Sequence, residues 1–280
     1  MDNSVRKPYV AGKFYPATAP EISELFETII QHEKPAINYD LAEKHIEGAV
    51  LPHAGHLFSG YQTVHFFEIL AAGRQDIETF VIIHPIHRGG DIDYAADDHY
   101  RWRTPLGEIP VDQAFIEAMN IEKSGEMHKW EHSAEVMLPF IQKYEETNVR
   151  IVPVGMGWQH PEASRRVADA IIDAEKKTGR KICVIASSDF SHYLDPETGR
   201  RKDQLVLDHI LRMEPDEIYG TVRKNNISVC GYGPIMSLMY YALARSPGVK
   251  AEVLSRGNSG DVYPSDSVVD YISILFYTDS

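Results

Sequence analysis

The sequence predicts an α/β protein with a mostly parallel or mixed central sheet and helices on both faces. Short apolar runs rich in valine and isoleucine alternate with amphipathic stretches of helical period along most of the chain. A helix between two strands forms a crossover connection, which joins parallel strands of one sheet. The 280 residues contain neither an internal repeat nor a long Pro-, Gly- or Ser-rich linker, so we expect a single domain covering residues 1–280.

The predicted strands are short and rich in β-branched residues. Several are apolar on both alternating faces, as expected of strands buried between two helical layers. The candidates are residues 49–52, 79–83, 149–154, 181–186, 251–254 and 271–277. Residues 88–110 have no clear period, so this segment is either a long loop or a β-hairpin at the sheet edge.

The stretches between these strands have the period of amphipathic helices. The helix candidates are residues 19–32, 61–72, 112–120, 134–147, 162–177, 202–213, 215–225 and 234–245. Ser133 is predicted to cap the helix that begins at Ala134. Pro139 lies inside that stretch and predicts either a kink or a later start of the helix.

Composition excludes several classes of protein. Lysine and arginine number 28 against 41 aspartates and glutamates, and the net charge of −13 argues against binding to nucleic acid. No run approaches the roughly 18 consecutive apolar residues of a membrane span. The two cysteines cannot form a disulfide framework, and the first residues lack the apolar core of a signal peptide. We therefore expect a cytoplasmic protein that binds neither membrane nor nucleic acid.

Histidines follow three of the predicted strands. His53 comes directly after the first strand, His84 and His87 follow the second, and Asp189 and His192 follow residues 181–186. Because the carboxyl ends of parallel strands meet at one edge of a sheet, we expect these side chains to share a site. Imidazole is the commonest metal ligand in proteins and a frequent proton carrier.

Cys230 lies in a glycine-flanked turn that opens a predicted helix. A helix N-terminus lowers the pKa of a thiol and favours the thiolate that binds metals, although Cys230 could equally be a packed turn residue. A set of two histidines and one cysteine leaves coordination positions open, which suits a catalytic or redox metal. The sequence lacks the glycine-rich motifs of nucleotide-binding proteins, the GxSxG of serine hydrolases and any CxxC.

Six motifs occur in a fixed order between Arg6 and the C-terminus, and together they resemble the MEMO family (MEMO-like, AmmeMemoRadiSam system protein B). They are Pro52-His53-Ala54-Gly55 with Ser59-Gly60, Pro85-x-His87, Arg103-Thr104-Pro105-Leu106-Gly107, Glu131-His132-Ser133-Ala134-Glu135 with Leu138-Pro139, Ser187-Ser188-Asp189-Phe190-Ser191-His192, and Cys230-Gly231.

This resemblance implies a fold related to the class III extradiol dioxygenases, which hold non-haem iron. It also implies an iron or copper ion on two histidines and a cysteine, which by motif position are His53, His87 and Cys230. The dioxygenase relatives carry a carboxylate in place of that cysteine.

The resemblance also identifies further pocket residues. His132, Asp189 and His192 match them, and His192 resembles the acid/base of the dioxygenases. His84 replaces a glycine that is common in the family and His56 replaces a frequent tyrosine, so both are additional pocket candidates. His56 is also close enough to His53 in sequence to line the same pocket.

The first functional hypothesis is a mononuclear redox enzyme with Fe(II), or with copper in its place. In this hypothesis His192 moves a proton, Asp189 orients His192 or a metal-bound water, and His132 donates a hydrogen bond to a substrate oxygen. The alternatives are a zinc-dependent hydrolase that uses the same pocket, and a non-catalytic module that binds a peptide or protein. The expected ligand is a small molecule or a peptide. The resemblance implies a functional link to a radical-SAM protein and an AMMECR1-like protein.

Overall fold

A computed structural model describes residues 4–89, 91–144 and 149–279. The strands are β1 (Val5–Arg6), β2 (His45–Leu51), β3 (Thr79–Pro85), β4 (Tyr94–Ala96), β5 (Arg101–Thr104), β6 (Gly107–Pro110), β7 (Arg150–Met156), β8 (Ile182–Ser187), β9 (His192–Leu194), β10 (Lys250–Asn258) and β11 (Val268–Thr278). The α-helices are α1 (Ala19–Glu33), α2 (His56–Gly73), α3 (Gln113–Met119), α4 (Gly125–Lys129), α5 (Leu138–Tyr144), α6 (Pro161–Thr178), α7 (Pro196–Leu211), α8 (Pro215–Asn225) and α9 (Tyr232–Arg245). Short 3-10 turns cover Lys34–Ala36, Tyr39–Glu43, Glu135–Met137 and Ser259–Asp261.

The main sheet is mixed, with a parallel centre. Its strand order is β10-β11-β2-β8-β3-β7-β4, and β9 pairs with β11 outside this path. The strands β2, β8, β3 and β7 are mutually parallel, whereas β10, β11 and β4 pair antiparallel with their neighbours. Helices α1, α2 and α5 form one layer and α3, α6, α8 and α9 another, all around one hydrophobic core. The predicted fold class is confirmed.

Each of the six predicted strands is present, but two helices, α2 and α7, begin more than a full turn earlier than predicted. The sequence placed their starts at residues 61 and 202, whereas α2 begins at His56 and α7 at Pro196. Both early turns contain a glycine, which weakens a helix when only local propensity is considered. A Cβ at Gly60 would approach Ile29 Cδ1 to 2.8 Å, and one at Gly199 would approach Asp270 Oδ2 to 2.4 Å. Close tertiary packing therefore accounts for both glycines.

The segment after residue 133 begins with a 3-10 turn and becomes α-helical only at Leu138. Pro139 thus lies in the first turn of α5, which confirms the predicted late start; residues 145–147 of the predicted helix lie outside the described residues. The predicted cap at Ser133 is wrong. Its hydroxyl instead lies 2.9 Å from the carbonyl oxygen of Pro85 and 3.0 Å from Glu131 Oε1, both of which are hydrogen-bond acceptors.

Residues 88–110, which lack a clear period, contain the β-hairpin β5–β6. A hairpin was one of the two structures predicted for this segment. This hairpin pairs with β1 in a separate three-stranded sheet, while β4 adds to the edge of the main sheet. The short helix α4 was not predicted. Within residues 4–89, 91–144 and 149–279, no helix has the length and apolar character needed to cross a bilayer.

Candidate metal centre

Three neighbouring strands end at one edge of the sheet, and each is followed by a polar residue. His53 lies two positions beyond the end of β2, His87 two beyond β3 and Asp189 two beyond β8. Strand β8 lies between β2 and β3 and is parallel to both. The three side chains therefore start from adjacent points of the carboxyl edge, where ligands bind in open α/β sheets.

Three histidine rings cluster at this edge. His53, His87 and His132 each offer one nitrogen, and these nitrogens all lie within 4.8 Å of one another. The ring centroids of His53 and His87 are 5.2 Å apart, and those of His87 and His132 are 4.7 Å apart. His132 comes from the loop before the Glu135–Met137 turn, and Phe14 packs against its ring. Convergent imidazole nitrogens make this a candidate metal centre.

The hydrogen bonds of His53 determine which of its nitrogens carries the proton. Its Nδ1 lies 2.8 Å from Ser187 Oγ, and the Ser187 hydroxyl donates its single proton to the carbonyl of Ser133 at 2.7 Å. Nδ1 of His53 must therefore be the donor to Ser187. In the neutral ring the Nε2 atom consequently carries the lone pair, which is the form that binds a metal.

Glu131 orients the other two rings. One of its carboxylate oxygens lies 2.9 Å from Nδ1 of His87 and 3.1 Å from Nδ1 of His132. The same carboxylate accepts hydrogen bonds from the backbone N–H groups of both histidines. Because Nδ1 donates to a carboxylate in each ring, the neutral form of each ring carries its lone pair on Nε2. A carboxylate behind a histidine is the usual support of a metal ligand.

Burial and charge set the protonation of this cluster. Burial alone would raise the pKa of Glu131, but hydrogen bonds from His132 and His87 outweigh it and hold that pKa well below its usual range. Burial lowers the pKa of His87, but the hydrogen bond and charge of Glu131 outweigh burial and the net shift is upward. Burial and the neighbouring imidazoles hold the pKa of His53 well below its usual value. His53 is therefore neutral at pH 7 beside an ionised carboxylate.

Replacing the orienting carboxylate tests this arrangement. Glu131→Gln removes the charge and one acceptor, so we expect affinity for Co²⁺, measured by titration calorimetry, to fall about 10- to 100-fold. Glu126→Gln is the matched control, because Glu126 is exposed and pairs only loosely with Lys129, at 3.5 Å. Equal Co²⁺ affinity in the two variants would contradict the assigned role of Glu131.

Cys230 lies beside His53. Its Sγ is 3.1 Å from His53 Nε2 and accepts a hydrogen bond from the backbone N–H of Asp189 at 3.2 Å. Among the described residues, Cys230 is not part of the cluster whose donor atoms all lie within 4.8 Å. The expectation of a lowered thiol pKa at the start of α9 is wrong: burial and the Asp189 charge raise the pKa of Cys230 well above its usual value.

The turn that carries Cys230 is fixed from two sides. The Gln159 side-chain amide donates to the carbonyl of Cys230 at 2.7 Å and accepts from the N–H of Gly233 at 2.7 Å. The N–H of Gly231 donates to Ser188 Oγ at 2.9 Å. A Cβ at Gly231 would lie 2.3 Å from the Ser187 carbonyl, so only glycine permits this approach. The position of the thiol is thus set by Gln159 on one side and by the end of β8 with the loop that follows it on the other.

Asp189 lies in the loop after β8, and His192 begins strand β9 at the end of that loop. One carboxylate oxygen of Asp189 accepts the backbone N–H groups of His53 and Ala54, at 2.7 and 3.2 Å. Burial raises the pKa of Asp189, and these hydrogen bonds oppose the shift. The partly exposed His192 donates from Nδ1 to the carbonyl of Ser228 at 2.9 Å, which leaves Nε2 free. Asp189 thus fixes the backbone around His53.

The other two pocket candidates lie outside the three-histidine cluster. His84 Nδ1 contacts Ser133 Oγ at 3.0 Å, and its buried ring packs against His128 with centroids 5.1 Å apart. His56 bonds through Nε2 to the carbonyl of Val136 at 2.7 Å and stacks on Tyr15 in the core. The structure therefore places both rings in packed surroundings apart from the nitrogens of the cluster.

Sequence reasoning assigned no role to three residues of this site: Glu131, Ser187 and Gln159. Glu131 and Ser187 belong to motifs that the sequence displayed, so their adjacency to His132 and Asp189 was a usable signal. Gln159 carried no such signal, because it contacts the Cys230 turn only through the tertiary fold.

The fold and this site define a class of α/β protein with a histidine-lined candidate metal centre at the carboxyl edge of its sheet. Residues 6–275 match the family described as Memo-like protein. A MEMO1 family protein of Archaeoglobus fulgidus is 42% identical over 275 residues, which cover 97% of this chain and 99% of that protein. Another from Desulfurococcus amylolyticus is 36% identical over 282 residues, with 97% and 99% covered. The chain belongs to the MEMO family, as its motifs predicted.

A solved structure of an uncharacterized protein from Escherichia coli K12 is a more distant likeness. It is 13% identical, with a TM-score of 0.48, over 75% of this chain and 90% of that one. The family assignment does not depend on it.

Proposed function

We propose that this protein is a mononuclear metal enzyme of redox type, with iron, or copper in its place, on His53, His87 and Cys230. The supporting observation is the convergence of the His53 and His87 rings beside a thiol, with Cys230 Sγ 3.1 Å from His53 Nε2. Bonds of about 2.1 Å to nitrogen and about 2.3 Å to sulfur place two donors of one ion roughly 3.1 to 3.6 Å apart, for bond angles of about 90° to 109°. The spacing of His53 Nε2 and Cys230 Sγ therefore suits two ligands of one ion.

In this proposal, bound iron supplies one-electron redox chemistry and open coordination positions. The chain supplies the rest. His192 has its Nδ1 proton held by Ser228, so its free Nε2 can take a proton from a substrate and return it. Asp189 holds the backbone of His53 through two N–H groups, and through it the first imidazole. His132, which Glu131 orients, is placed to contact a substrate beside His87.

Anaerobic purification followed by elemental analysis and electron paramagnetic resonance tests the proposal. We expect close to one equivalent of iron or copper, with a spectrum that shows thiolate coordination. Protein that holds zinc alone, or that holds iron with no thiolate signature, would contradict the redox assignment or the ligand set respectively.

A second candidate is a zinc-dependent hydrolase in the same pocket. The observation that favours it is that His132, rather than Cys230, completes the set of donor atoms within 4.8 Å. Three histidines with one open position are a usual catalytic zinc site, and zinc there would supply Lewis-acid activation of water. Hydrolysis of ester or amide substrates that is unaffected by removal of dioxygen would favour this candidate over the first.

The surroundings of the site belong to the same proposal. We infer a small molecule or a peptide as the ligand, a cytoplasmic location, and a single MEMO-like domain over residues 1–280. The functional link to a radical-SAM protein and an AMMECR1-like protein is inferred only from family membership.

A further inference from the structure

Two buried aspartates face each other beneath the loop that carries Asp189 and His192. Asp203 of α7 and Asp270 of β11 are 0% and 3% exposed, and they are close enough that the Asp270 carboxyl raises the pKa of Asp203. Among the described residues, Oδ2 of each carboxyl receives no N–H or hydroxyl donor. One proton held between the two carboxyl groups would give these buried oxygens a partner and would remove the repulsion between two buried charges.

The charges around the pair do not remove the need for that proton. Arg256 of β10 lies 3.7 Å from Asp203 Oδ2, and the described residues place no other cation within 4.0 Å of either carboxyl. Farther away, Arg200 of α7 and Asp261 of the Ser259–Asp261 turn also face the pair, and their opposite charges offset each other. One guanidinium therefore faces two carboxyl groups.

The pair directly holds the loop between β8 and β9. Oδ1 of Asp203 accepts both the backbone N–H of Ser191, at 3.0 Å, and the Ser191 hydroxyl. The backbone of Asp270 accepts from Phe190 N–H and donates to the Ser191 carbonyl, each at 2.9 Å. The Asp270 carboxyl occupies the space that a Cβ at position 199 would take, so Gly199 leaves room for it. Phe190 and Ser191 lie between Asp189 and His192 in the sequence, and both are thus held in place by contacts with Asp203 and Asp270.

We propose that Asp203 and Asp270 are positioning residues that share one proton, and that this proton locks the loop carrying Asp189 and His192. In the candidate enzyme, this lock would fix His192, the proposed proton carrier, relative to the metal ligands. This consequence rests on the proposed function. Loss of the shared proton sets two buried carboxylates against each other and loosens Phe190 and Ser191.

The pH dependence follows from the direction of the shift. Burial first, and then the hydrogen bond and charge of Asp270, raise the pKa of Asp203 to about 8. In an opened loop this carboxyl returns to about 3.9. The closed loop therefore binds more protons than the open loop between about pH 4 and pH 8. Its protection should fall up to about tenfold for each pH unit in that window and level off above it.

Amide hydrogen exchange of the metal-free protein tests this lock. In the wild-type chain, protection of the Phe190 and Ser191 amides, corrected for intrinsic rates, should fall as pH rises from 5 to 8. Asp203→Asn keeps the acceptor for Ser191 and offers a permanent N–H donor to Asp270, so the ratio of variant to wild-type protection should rise up to about tenfold per pH unit. Asp270→Asn should also remove the dependence, through the other carboxyl.

Asp208→Asn is the matched control, because Asp208 lies on the same helix and its carboxylate accepts a hydrogen bond from Gln204, away from the Asp203–Asp270 pair. It should keep the wild-type dependence. Parallel protection in wild type and Asp203→Asn across pH 5 to 8 would overturn the proposal, as would a dependence that Asp208→Asn also abolishes. Because no metal is added, the result stands whether or not the proposed metal centre binds iron.

Discussion

The double variant His53→Ala with Cys230→Ala is expected to lose its metal. Each substitution removes one donor from a site that offers His53 Nε2 and Cys230 Sγ only 3.1 Å apart. An outer partner of a ligand is already worth about 10- to 100-fold in affinity, so loss of two ligands should exceed roughly 100-fold. Elemental analysis after anaerobic purification measures the effect. Stoichiometric metal in the double variant would refute the ligand set.

Single variants then separate the two possible third ligands. If the thiolate is the ligand, Cys230→Ala lowers metal content more than His132→Ala does, and the thiolate signature in the spectrum disappears. The reverse order would favour the three-histidine set and with it the hydrolase. His45→Ala and Cys183→Ala are the matched controls, because His45 is exposed and Cys183 is buried inside β8.

Arg6→Met is expected to lower the free energy of unfolding by about 3–5 kcal/mol. Arg6 is 2% exposed and pairs with the fully buried Glu135 at 2.7 Å. Its guanidinium also donates to the backbone carbonyls of His128 and Glu131. Methionine fills part of the volume, but it leaves the Glu135 charge and two carbonyl groups without this donor. Urea unfolding followed by circular dichroism measures the loss.

Arg103→Met provides the control for a lost arginine charge. Arg103 is about half exposed and pairs with Glu108 on the surface, so its loss should cost less than about 1 kcal/mol. Equal costs for the two substitutions would mean that burial of the Arg6 pair is not what stabilises this region.

The sequence was informative wherever local pattern decides structure. Hydrophobic period located the strands, and the rule for parallel sheets then placed His53, His87 and Asp189 at one edge. The ring of His84 was harder to place. It lies within β3, where alternation of side chains sends it to His128 rather than to the cluster. The side of the sheet to which such a residue points can therefore be predicted only when the end of the strand is known.

The remaining features depend on contacts between distant parts of the chain. The helix N-terminus gave the wrong direction for the pKa of Cys230, because burial and Asp189 outweigh a local dipole. The position of His132 beside His87 is set by Glu131 and could be anticipated only from family resemblance. The Asp203–Asp270 contact joins a helix to an edge strand, and no sequence spacing reveals it.

The hydrogen bonds that surround the Glu135 carboxylate affect how the protein folds. Its carboxylate accepts the backbone N–H groups of Tyr9 and Val10 and the hydroxyl of Tyr15, besides its pairing with Arg6. These contacts join residues separated by 120 to 129 positions. The conformational entropy of so long a loop is lost before the contact can stabilise the protein. This contact therefore contributes to a slow folding rate. On the ribosome, the Arg6 side chain must wait without its Glu135 partner until nearly half of the chain has been synthesised.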